Sequence, residues 1–98
     1  MPLHTTQIVI RAEIFKEGRQ YVALCPELNV SSYGESVNEA RRSLQEAVSL
    51  FLEECVRLGS LQHVLEEAGF SHTKTAIPQW LSPQPLEIEP LAVPLKHG

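Results

Sequence analysis

Ser36-Val37-Asn38-Glu39 constrains this chain more than any other stretch, because it joins a glycine-ended polar segment to a long amphipathic one. Serine followed three residues on by glutamate is a capping box: the hydroxyl accepts from the third amide and the carboxylate returns to the serine amide. Beyond it Val37, Ala40, Leu44, Ala47, Val48, Phe51, Cys55 and Leu58 recur at intervals of three and four, forming one apolar stripe. Gly59 supplies a left-handed stop. A helix is therefore predicted from the box to about Leu58. Glu53 and Arg57, four apart, are expected to pair on its solvent side. Leu50, Leu52 and Val56 widen the stripe, enough to meet either a second helix or a second subunit.

The residues before the box read as strands. Ile8, Ile10, Ala12 and Ile14 alternate with Gln7, Arg11 and Glu13, which predicts one strand with one buried face. Glu17-Gly18 provides a tight turn into a second strand, Tyr21 to Cys25, so the pair is a β-hairpin. Pro26 lacks the amide that a ladder needs and closes that strand. Leu28 to Tyr33 is a third, more polar strand, broken by Gly34. Residues 1 to 6 carry no pattern and read as a loose lead-in.

After Gly59, Ser60 is placed to cap a short helix over Leu61 to Ala68, with Phe70 folding back onto the core. From Ser71 the composition changes: five of the seven prolines fall in the last 28 residues, which excludes a helix or a central strand there. A short edge strand over Leu86 to Val93 is compatible with this, and Trp80 is the one large anchor. The predicted organisation is an α+β domain over 1–70 and a proline-rich tail over 71–98.

Several function classes are poorly served by this composition. The chain has no aspartate, whereas metal-dependent nucleases and phosphoryl-transfer enzymes gather short carboxylates around magnesium. His4, His63, His72 and His97 show no paired ligand spacing, and Ser31, Ser32 and Ser36 lie in no nucleophile elbow. Cys25 and Cys55 sit in apolar runs and read as buried hydrophobes. No catalytic, metal or cofactor residue is expected. The net charge of -4 disfavours nonspecific nucleic-acid binding. All the excess lies in residues 1 to 70, with ten glutamates against six arginines and lysines, which suits a basic protein partner. No apolar run approaches the roughly 20 residues that cross a bilayer, so a cytoplasmic chain without a membrane partner is expected.

The sequence YVALCPEL, then SSYGES, then VNEARRSLQEAVSLFLEE resembles the HicB-like family, the antitoxin half of HicA-HicB toxin-antitoxin pairs. The match covers Ile8 to Glu54 and rests on Tyr21, Ala23, Pro26, Glu27, Gly34, Ser36, Glu39, Ala40 and Ala47. It implies a partial ribonuclease-H-like β-β-β-α-β fold: a three-stranded antiparallel sheet packed on one long helix, with a late edge strand and here a second short helix. It also implies a non-catalytic protein that binds and neutralises a small basic HicA-like, mRNA-cleaving toxin. Longer members continue into a DNA-binding segment. Residues 71 to 98 instead hold only Lys74 and Lys96 as basic residues, so direct promoter binding is not expected. Glu27, Tyr33, Glu35 and Trp80, near strand and loop edges, are the candidate partner-binding residues. A homodimer or homotetramer is expected, since few short strands and one covering helix leave edges and apolar surface open. The alternative is an orphan module of the same fold that binds a peptide or small ligand.

Overall fold

The structure, a computed structural model, describes residues 6–73 and 78–96. The lead-in over 1–5, His4, Lys74 and His97 lie outside the described residues. The fold is α+β. Strands β1 (Gln7–Val9), β2 (Glu13–Glu17), β3 (Gln20–Cys25) and β4 (Val30–Gly34) precede helix α1 (Val37–Leu58) and helix α2 (Leu61–Glu67). Strands β5 (Ser71–Thr73) and β6 (Gln79–Leu81) follow.

Two three-stranded sheets result. One is the antiparallel β2-β3-β4 meander; in the other β6 lies between β1, to which it is parallel, and β5, to which it is antiparallel. The hairpin forms as expected, with Gly18 at φ 63° in the two-residue turn between β2 and β3. The expected single strand over Ile8 to Ile14 does not form, because the chain changes sheets at 10–12. Ile8 packs against the cluster formed by Leu65, Phe70 and Trp80, and Ile14 against the one formed by Ala23, Cys25, Ala40, Leu44 and Val48. Serving two clusters bends the chain between them and leaves Ala12, expected on the buried face, exposed.

Ser36 caps α1, its Oγ accepting from the Glu39 amide at 3.1 Å. Among the described residues no bond returns from the Glu39 carboxylate, so half of the box is used. Gly34 is buried against the first turn: a Cβ there would lie 2.4 Å from the Ala40 nitrogen and 2.8 Å from Glu39. At the other end Gly59, at φ 71°, lets its own amide reach Val56 and the Ser60 amide reach Cys55, a Schellman closure. Ser60 makes no side-chain cap to α2; its hydroxyl donates back to Cys55 instead. Arg57 takes Glu54, not the expected Glu53, because Glu54 offers two oxygens to Nε and Nη2 together.

The stripe of α1 buries Ala40, Leu44, Val48 and Cys55. The first three join Ala23 and Cys25 in one cluster; Leu65, Phe70 and Trp80 form a second, and Ile10, Leu28 and Leu52 pack against both. Val37 and Leu58, expected at the two ends of the stripe, are exposed, as are Leu50 and Val56, expected to widen it. The late strand falls at Gln79–Leu81 and is central, not an edge: the expectation that proline density excludes a central strand from 71–98 fails because these three residues contain no proline. The segment expected as an edge strand, Leu86 to Val93, forms no strand and lies exposed: Trp80 fixes the preceding residues in the core, whereas Leu86, Ile88, Leu91 and Val93 are all open to solvent. Among the described residues no helix is long and apolar enough to cross a membrane.

Candidate functional site

Strand alternation sorts the β2-β3-β4 meander into two faces. Ala23 and Cys25 point to α1 and are fully buried. On the opposite face Phe15, Val22 and Tyr33 stand in register across the three strands. Phe15 is 53% exposed and Tyr33 64%, so this cross-strand row is open to solvent. Glu13, Leu24 and Ser31 form the adjoining row, and Glu17 stands opposite Gln20. Glu35, exposed, directly follows β4. An apolar centre with carboxylates at its margin is a surface for a partner carrying apolar and basic groups.

The four candidate residues divide between surface and interior. Tyr33 belongs to the open row and Glu35 lies beside it. Glu27 has a side chain only 9% exposed and accepts an ion pair from Arg11 at 3.0 Å; Arg11 also reaches Glu13 at 3.2 Å. Arg11 Nε and Glu27 Oε2 are buried without further partners. Trp80, 9% exposed, is core, its ring stacked on His72 with centroids 4.6 Å apart. Phe15 and Val22 had no prominence in the sequence. Their signal was the two-residue turn at Gly18, which sets the register that places both beside Tyr33.

Three further polar groups have structural surroundings. Ser36 is the α1 cap. Cys25 is fully buried, and burial pushes its thiol above the ordinary range, against a smaller opposing effect of the Leu28 and Glu27 amides. On the surface, the hydrogen bond from Arg57 holds the Glu54 carboxyl below its usual range. Among the described residues no group of three or more histidines, cysteines or acidic residues is placed to hold a metal ion. No family model, characterised protein or solved structure matches the chain.

Proposed function

We propose that this chain is an antitoxin-like protein of the HicB type, which binds and neutralises a small basic HicA-type mRNA-cleaving toxin. The observation that carries the reading is the open Phe15-Val22-Tyr33 row with Glu13, Glu17 and Glu35 around it. Apolar area of this kind supplies affinity, and marginal carboxylates speed and orient the approach of a basic protein. The antiparallel β2-β3-β4 meander followed by the long helix α1 also supports it, being the β-β-β-α order that the sequence resemblance implies. In this role the protein acts by occluding the toxin and needs no catalytic residue, metal or cofactor, and no membrane.

Co-purification with a HicA-type toxin encoded beside it, followed by titration calorimetry, tests the reading. Phe15→Ser combined with Tyr33→Ser is expected to weaken binding at least roughly tenfold, about 1.4 kcal/mol or more, while leaving the circular dichroism unchanged. Absence of such a neighbouring toxin, with no binding of a HicA-type toxin at micromolar concentration, rejects it.

A further inference from the structure

The arm from Pro83 to Lys96 makes no strand or helix, and its apolar side chains Leu86, Ile88, Leu91, Val93 and Leu95 are between 77% and 102% exposed. It projects from the body: the molecule measures 66 Å along its longest axis against 30 and 25 Å across. Its radius of gyration of 16.7 Å exceeds the roughly 13 Å of a compact chain this long. Free apolar side chains in such a run are what a partner surface covers.

The spacing of the arm specifies how. In a β-strand, residues of one parity turn both N–H and C=O to the same neighbour and share one side-chain face. Leu91, Val93 and Leu95 have one parity; Pro90, Ala92 and Pro94 have the other. A strand bonded through the odd residues therefore directs three apolar side chains to one face. It also puts both prolines where a missing N–H removes no ladder bond, the only register in which an edge strand tolerates them.

A receiving edge is present on the body. The Gln7 amide donates to Pro78 and the Val9 carbonyl accepts from Ser82, so both point to β6. Ile8, one residue out of phase, turns its N–H and C=O to the other side of β1, which is the outer strand of its sheet. Beside β1 runs a groove of about 470 Å³ bordered by Gln7 to Ile10 and floored by Val48, Ser49 and Leu52 of α1. All three residues of β1 and the following Ile10 line it, so the strand's edge and not one of its faces forms the wall. The groove continues along α1 past Val56 to Leu61.

We propose that residues 90–95 of a second copy of this chain add to β1 as an edge strand, Leu91, Val93 and Leu95 entering the groove. The arm's own groove is a poor destination, since the arm leaves from β6 on the opposite side of β1 and starts with the stiff Pro83 and Pro85. Each copy has one arm and one β1 edge, so mutual exchange closes a twofold dimer and leaves neither unfilled. The proposal is independent of the toxin reading.

Light scattering of the full chain at micromolar concentration is expected to give twice the 11.0 kDa chain mass. Because Leu91, Ala92, Val93 and Leu95 are exposed in the single chain, their variants leave the fold intact, checked by circular dichroism. Ala92→Pro, in the outward register, is expected to keep the dimer; Val93→Pro, in the inward register, is expected to raise the dissociation constant at least tenfold more than Val93→Ala. Ser49→Trp, on the exposed wall of α1, is expected to give a monomer. Mixing it with Leu91→Ser/Val93→Ser/Leu95→Ser is expected to restore a dimer held by one arm. A monomeric full chain, equal effects of proline at 92 and 93, or no dimer on mixing overturns the proposal.

Discussion

Cys25 ends β3 at the point where Pro26 interrupts the ladder, and the turn that follows folds back over it. The Asn29 amide bonds to the Pro26 carbonyl at 3.2 Å, and Asn29 takes φ 55°, a conformation that asparagine tolerates better than other side chains. Glu27, inside this turn, is held by Arg11 from the link between β1 and β2. The proline and acid that looked like a recognition signal thus brace a turn across two sheets. Removing one member of so buried a pair strands a charge, whereas its net contribution as a pair is small. The thiol beneath is raised by burial, which has a definite consequence for pH. A folded-state thiol that ionises later than the unfolded one favours the native state only while both are protonated. Stability is therefore fully present below about pH 8.5, where free thiols ionise, and declines as pH rises toward the folded value. Urea unfolding between pH 7 and 10 is expected to show this alkaline decline, and Cys25→Ala, less stable at pH 7, is expected to show a shallower one. Equal slopes in the two proteins would remove the thiol from the account.

Gly34 and Ser36 together make the corner between sheet and helix. Ser36 satisfies an amide at the start of α1, and its replacement by alanine costs about 1 kcal/mol in comparable caps. Gly34 is under a different constraint, space: the backbone of Glu39 and Ala40 occupies the volume a Cβ would need. Gly34→Ala is expected to destabilise by about 3 kcal/mol in chemical denaturation, more than Ser36→Ala, because backbone and not a movable side chain must yield. An equal or smaller loss would mean that the corner relaxes freely. This corner, the hairpin at Gly18 and the span of α1 were legible in the sequence because each is set by residues a few positions apart. Tyr33 and Glu35 were legible as surface for the same reason, lying at a strand end before a cap. The division of residues 7–17 into β1 and β2 was not, since alternation continues through the bend. Nor was the pairing of β1 with β6, which joins residues some seventy positions apart through strands of three residues. Trp80 was visible as an anchor, but proline density hid the strand that carries it.

At the scale of the molecule, β6 holds the late chain to the early chain. Trp80 lies in register with Ile8 across the parallel pair and with His72 across the antiparallel one, so one side chain pins the middle of a three-stranded sheet. The β2-β3-β4 meander depends on the other cluster, in which Leu44 and Ala23 are buried with no contribution from β6. The clusters communicate through Ile10, Leu28 and Leu52, which are only partly buried. A joint of this kind is weaker than either core, and local opening follows such joints. Trp80→Ala removes the largest side chain of the second cluster, a change that costs about 3 to 5 kcal/mol at buried sites. The expected result is regional: hydrogen exchange of the amides shared by β1 and β6 rises at least roughly tenfold more than that of the β3 amides, while Leu44→Ala speeds both sheets. If the proposed toxin binding by the Phe15-Val22-Tyr33 row holds, Trp80→Ala is expected to keep that affinity and Leu44→Ala to lose it. Equal acceleration of both sheets by Trp80→Ala would instead make the two clusters one cooperative unit, with the β1 edge and the outer face rising and falling together.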